Sequence, residues 1–189
     1  MNFVKKYTAI AGCFEILAAP HCDARGRFVK VLHAPEFKKL GLDSDFCEAY
    51  YSVSKKGVLR GLHFQAPPAA LSKLVFCADG QSFEAVLDLR KWSKTFGKAA
   101  VLELGSQKAN MLYIPKGCAH GFCALSRQVI MVYKTSAVYS PEHDTGVLWN
   151  SAGIKWPVKK PLLSARDVAF SALKDFKTPF CRRHRGLNK

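Results

Sequence analysis

Apolar residues in this chain come in short runs with little helical spacing, and no run is long enough to cross a bilayer as a helix. From residue 46 onward, runs at 46–53, 58–64, 71–78, 83–89, 99–104, 111–114, 118–125 and 128–135 are separated by Gly, Pro, Ser or Asn/Asp clusters. Short runs punctuated this regularly predict the strands of an all-β sandwich or barrel. Upstream, residues 8–18 alternate weakly and predict a first strand, and His21 to Gly26 reads as a polar turn. Arg27 to His33 alternates as a strand with at least one wet face does. Residues 35–41 open on Pro35, close on Gly41 and carry Phe37 and Leu40 between them, which predicts one short helix. Val168, Leu173 and Phe176 predict a terminal helix within 166–176. No repeat, linker or shift in composition divides the chain. Residues 1–189 therefore read as one domain, with a basic, frayed tail at about 182–189.

Composition narrows the class. The chain has 189 residues, 49% of them hydrophobic, which supports one full core and excludes a disordered chain. A formal net charge of +15 suits nucleic acid, an anionic membrane, a phosphorylated small molecule or simply a solvated basic surface. Basic residues are dispersed and no aromatic–basic recognition motif accompanies them, so nucleic acid is not the expected partner. Seven cysteines include no Cys-x-x-Cys, and their apolar company reads as buried thiols in a reducing cytoplasm. Lys5-Lys6 before an apolar stretch ending at Cys13 superficially fits a lipoprotein leader. The stretch is too short for one, and Glu15 follows.

Candidate chemistry gathers where polar groups interrupt apolar runs. Arg60, His63 and Gln65 do so in Gly57-Val58-Leu59-Arg60-Gly61-Leu62-His63-Phe64-Gln65, whose glycines permit close backbone approach. A metal-binding β-barrel of the cupin type brings two imidazoles one residue apart onto one ion. No His-x-His occurs here, so no metal is expected, and His63 is left either as an acid–base group or as a satisfied structural histidine. Arg60 and Lys73 are cations in apolar strands, and a buried cation needs a partner. That partner is either an anionic ligand or a protein carboxylate, for which Asp88 is the nearest candidate. Asp88 and Arg90 share a strand face and can instead pair with each other. Tyr133, inside Val129 to Lys134, is either a phenol bonded to a carbonyl or a proton donor. Tyr139, before Pro141, is placed to stack on a sugar or base.

These residues belong to a longer pattern. The stretch Gly57 to Gln65 resembles the signature of the dTDP-4-dehydrorhamnose 3,5-epimerase family. So do Lys73-Leu74-Val75, Leu87-Asp88-Leu89-Arg90, Ser93-x-Thr95-Phe96-Gly97, Ile114-Pro115 and Ala119-His120-Gly121-Phe122. Trp149-Asn150, Ile154-x-Trp156-Pro157 and Leu163-Ser164-x-x-Asp167 continue it, so that the similarity runs from about Asp23 to Asp167. The resemblance implies a metal-free cupin jelly roll, a double-stranded β-helix with short peripheral and C-terminal helices, working as a homodimer, and the cysteines place it in the cytoplasm. It implies a nucleoside-diphosphate 4-keto-6-deoxyhexose as substrate and no cofactor, because the ketone that acidifies C3 and C5 is already installed. By the same resemblance His63 is the base, Asp167 its carboxylate partner, Tyr133 the acid on the opposite face and Lys73 the enolate stabiliser. Arg60 and His120 hold substrate, Arg25 joins the nucleotide and diphosphate site, and Tyr139 packs on sugar or base.

Departures from the family pattern fall on its substrate-binding part. Arg27 and Lys30 stand where the family has an aromatic and a Glu, and Glu48 and Tyr50 where it has Gln and Asn. Asp144 replaces a Glu, Arg166 a Lys, and Val138-Tyr139 a tyrosine pair. These positions bear on which nucleotide and sugar are bound, and the catalytic residues are unchanged. Competing readings are inversion of one carbon only on a GDP-, CDP- or UDP-linked sugar, and a non-catalytic nucleotide-sugar binder. Neither a nucleic acid nor a membrane is an expected partner.

Overall fold

A computed structural model describes residues 3–181. Strands β1 (Val4–Tyr7), β2 (Phe14–Leu17), β3 (His21–Asp23) and β4 (Gly26–Phe28) precede helix α1 (Ala34–Lys39). Eight longer strands follow: β5 (Glu48–Lys55), β6 (Leu59–Gln65), β7 (Lys73–Asp79), β8 (Gln81–Asp88), β9 (Ala99–Gly105), β10 (Asn110–Ile114), β11 (Cys118–Ala124) and β12 (Gln128–Thr135). A short β13 (Asp144–Gly146), helix α2 (Ala165–Val168) and a 3-10 turn (Leu173–Asp175) complete the described chain. One sheet runs β1-β2-β10-β7-β12-β5 and the other β13-β6-β11-β8-β9, with every pairing antiparallel. This is the expected all-β jelly roll, a cupin-like sandwich.

Alternation explains the layers. In-facing Val75, Val86, Leu104, Leu112, Phe122 and Met131 fill the space between the sheets. Leu62, Phe64 and Leu87 point the other way and are covered by Trp156, Phe176 and Phe180 from the C-terminal segment. Helix α1, begun by Pro35 as its pattern predicts, lays Phe37 on Ile16, Leu74 and Met111. At one end of the sandwich Asp88 accepts from Arg90, Ser93 and Thr95, so it serves neither Arg60 nor Lys73. All seven cysteines are free; Cys13, Cys77, Cys118 and Cys123 are buried, whereas Cys22, Cys47 and Cys181 are exposed.

The ends of the chain differ from expectation. Residues 8–18 are not one strand: a turn through Gly12, whose φ is +77, folds β1 back on β2. The expected turn at 21–26 and strand at 27–33 are instead a small hairpin, β3 with β4, ending at Phe28. Its residues are exposed on both faces, and beyond it the successive Val31 and Leu32 both pack on the core beside α1, which a strand joined to a sheet would not allow. The terminal helix is only α2 and the separate 3-10 turn, because the Ser171 carbonyl accepts from the Leu148 amide rather than continuing a helical ladder. Strand β13 carries no apolar run and was not expected. The basic tail at 182–189 lies outside the described residues.

Candidate active site

His63 on β6 lies directly opposite His120 on β11, and the register slips immediately beyond. Cross-strand partners project to the same face, so both imidazoles enter the interior. Gly61 has φ +137, and a Cβ there would meet the Gly121 Cα at 2.4 Å. Three residues apart in a regular strand, Arg60 and His63 would face opposite ways. The irregularity at Gly61 turns both into one cavity of about 430 Å³. The facing sheet contributes Lys73 from β7, Tyr133 from β12, and Tyr50 and Ser52 from β5. Glu48, Tyr139, Asp144 and Arg166 complete its lining.

The His63 Nε2 lies 2.6 Å from the buried Asp167 carboxylate. Asp167 also accepts weakly from the Gly61 amide, and its own amide donates to Ser164, the N-cap of α2. Burial pushes the Asp167 pKa up, but the hydrogen bond and charge of His63 outweigh this and hold it below the ordinary carboxylate value. An ionised carboxylate only accepts, so Nε2 carries the proton and Nδ1 keeps the lone pair. Phe170 fixes the ring edge-on, with centroids 5.7 Å apart.

The Lys73 ammonium donates to the His63 carbonyl at 3.4 Å. Burial pulls its pKa down to about 8, against the pull of Asp144 and with the push of Arg166. Tyr133 is buried, stacked on Tyr50 with centroids 4.8 Å apart and set edge-on to His120. Burial first, then the Glu84 anion, raise its pKa, so it remains a phenol with a proton to give. The His120 Nε2 lies 2.7 Å from Glu84. Burial outweighs that carboxylate and lowers the His120 pKa. Arg60 donates to Ser54, Arg166 pairs with Asp144 at 2.7 Å, and the Tyr139 amide donates to Glu48.

Eleven of the thirteen expected site residues thus meet at the cavity, Asp167 through His63. Arg25 and Lys30 do not line it. Arg25 sits in the turn of the β3–β4 hairpin with its side chain 88% exposed and paired to Asp23. It lines a separate groove with His21, Arg27 and Phe28. Lys30 is exposed beyond that hairpin. Gln65 clamps the Ala69 and Val138 carbonyls and the Ser140 amide, holding the loop that carries Tyr139. Glu84 escaped the sequence reading although a lone carboxylate in Phe83-Glu84-Ala85-Val86 carries the same signal as Lys73. Ser52, whose hydroxyl is buried beside the Tyr133 phenol, gave no signal. Among the described residues no three His, Cys, Asp or Glu side chains converge as a metal site would require.

A jelly roll whose cavity sets an imidazole–carboxylate dyad against a half-buried lysine and a buried phenol defines an epimerase of the cupin type, an isomerase that moves protons beside a carbonyl. The family model for dTDP-4-dehydrorhamnose 3,5-epimerase matches residues 7–175. The chain belongs to that family, whose place is deoxysugar biosynthesis. It is 44% identical over 149 residues to the dTDP-4-dehydrorhamnose 3,5-epimerase of Shigella flexneri, covering 77% of this chain and 82% of that one. The enzyme of the same description from Methanothermobacter thermautotrophicus is 35% identical over 179 residues, covering 92% and 95%. A crystal structure of dTDP-6-deoxy-D-glucose-3,5-epimerase from Legionella pneumophila, in complex with dTDP-4-keto-L-rhamnose, matches with a TM-score of 0.91 and 31% identity. That match covers 97% of this chain and 100% of the other.

Proposed function

We propose that this chain inverts C3 and C5 of a dTDP-linked 4-keto-6-deoxyhexose through an enolate. The observation that carries the reading is the opposition of two sheets across one cavity. The sheet of β6 offers His63 already bonded to buried Asp167; the sheet of β7 and β12 offers Lys73 and Tyr133. The C4 ketone acidifies its neighbouring C–H bonds. The His63 Nδ1 takes a proton, and Asp167 stabilises the imidazolium that forms. Electron density moves to O4, where the Lys73 ammonium offsets the charge. Tyr133 returns a proton from the opposite side, and the carbon is inverted. No electron leaves the sugar, so the cycle calls for no redox cofactor, and the Lys73 ammonium serves at O4 where a Lewis-acid metal would otherwise be needed. Arg60 and His120 hold the sugar, while Glu48, Tyr50, Tyr139, Asp144 and Arg166 form the rest of the substrate surface.

The working unit in this reading is a cytoplasmic homodimer. It is supported by an outward apolar face on β5 and β12, where Tyr51 is 68% and Val53 50% exposed beside Ile130 and Val132. Arg25 and Lys30, which do not reach their own chain's cavity, then contribute to a pocket completed by the second copy. Seven free thiols suit a reducing compartment, and no helix among the described residues is long and apolar enough to cross a membrane. Incubating a panel of 4-keto nucleotide sugars in heavy water tests the reaction. Deuterium is expected at C3 and C5 of the dTDP sugar, with activity unchanged by chelator. No exchange with any sugar, or chelator-sensitive exchange restored by zinc or iron, overturns the reading.

A further inference from the structure

Behind the cavity stands a second imidazole–carboxylate pair whose acid has no part in the chemistry above. Glu84 on β8 is fully buried and points between the sheets. Ionisable carboxylates are held in such a place only by donors. Glu84 has two polar partners: its Oε1 accepts the Ser82 hydroxyl and its Oε2 meets the His120 Nε2. An apolar residue of the same shape would fill this space without needing either donor, so packing alone does not explain a carboxylate here. What distinguishes the position is what it touches. His120, next to it, lines the cavity and is the cross-strand neighbour of His63. Two dyads therefore stand side by side on one sheet: Asp167 reaches His63 from α2, and Glu84 reaches His120 from the interior.

We propose that Glu84 is a positioning residue, which grips His120 by Nε2 so that Nδ1 is the ring nitrogen presented to the sugar, as a hydrogen-bond acceptor. An ionised carboxylate only accepts, so in this arrangement the imidazole donates from Nε2 to the oxygen that Ser82 leaves free. Burial lowers the His120 pKa and disfavours a second ring proton. His120 then receives a hydrogen bond from a substrate hydroxyl and gives none to O4. That leaves Lys73 as the cation of the enolate and gives the cavity an oriented acceptor for one hydroxyl of the sugar.

The proposal rests on the epimerase reading, and its test separates the two. Nitrogen-15 spectra of histidine-labelled wild-type protein need no substrate. They are expected to show His120 as the Nε2–H tautomer; an Nδ1–H tautomer, or a doubly protonated ring at neutral pH, overturns the proposal whatever the activity. Kinetics supply the second arm. Glu84→Met is expected to lower kcat/KM on the order of 10- to 100-fold, the range found when carboxylate partners of functional imidazoles are removed. Glu84→Gln, whose carbonyl can still accept from Nε2, should recover most of it. In a His120→Ala background Glu84→Met should add nothing; a second loss of equal size overturns the proposal. If Glu84→Met does not fold, the Glu84→Gln comparison in both backgrounds and the wild-type spectrum decide the matter.

Discussion

His63, Tyr133 and Lys73 each have a separable signature. His63→Ala should abolish deuterium exchange at both carbons while nucleotide binding survives, since one base starts each abstraction. Tyr133→Phe should still admit deuterium at the original face while inverted product falls sharply. Lys73→Ala should depress exchange and inversion together, by on the order of 100- to 1,000-fold, the typical loss for one preorganised donor. The Lys73 pKa near 8 adds a pH test. In the proposed role it acts as the cation, so kcat/KM should decline as pH rises through about 8, and Lys73→Met should lack that limb. At this scale the sequence was legible wherever a polar group broke an apolar run, as at Arg60, His63, Lys73 and Tyr133. Asp167 was not legible from spacing. It lies 104 residues from its imidazole in a weakly patterned segment, and only the family resemblance identified it.

The strands β6 to β12 were legible because each buries apolar side chains, and their runs match closely; the β5 run was legible too, although Tyr51 and Val53 on it face outward. The β3–β4 hairpin has no such face, and β13 is three residues whose ladder partner, β6, supplies the apolar side chains. What no periodicity reveals is the close approach of β6 and β11. Gly61 and Gly121 let the backbones meet, and that contact sets the irregularity which turns Arg60 and His63 the same way. Gly61→Ala places a Cβ 2.4 Å from backbone at a φ of +137. The unfavourable φ alone costs roughly 1–3 kcal/mol, and the clash adds to it. Urea denaturation should give a lower midpoint than for wild type. Exchange activity should fall further than the unfolded fraction accounts for, because the surviving native molecules hold His63 out of place.

For the whole molecule, Lys73 is a cost to folding. Its folded pKa near 8 lies below the 10.5 of an unperturbed lysine, so between these values the unfolded chain binds more protons. The penalty is full below about pH 8 and is relieved as pH rises toward 10.5. Lys73→Met should therefore unfold at higher urea than wild type at pH 7, with the advantage shrinking by about pH 10. The exposed Tyr51 and Val53 offer a different whole-molecule test: Tyr51→Asp with Val53→Asp should halve the mass measured by light scattering if that face joins two copies. The charge of +15 never discriminated among partners, since dispersed lysines look alike whether they attract a ligand or only water. The docking of α2 has a temporal consequence. Every strand among the described residues lies upstream of residue 147, whereas the carboxylate proposed to complete the base arrives from α2, within a C-terminal segment that packs on the outside of the sandwich. During synthesis the sandwich can close before the ribosome has released Asp167, so a nascent chain holds a formed cavity that cannot yet turn over. Turnover then reports that the downstream strap has seated. A protease cut near Gly153 that lets the strap dissociate should silence the enzyme while leaving its β-sheet circular dichroism nearly intact.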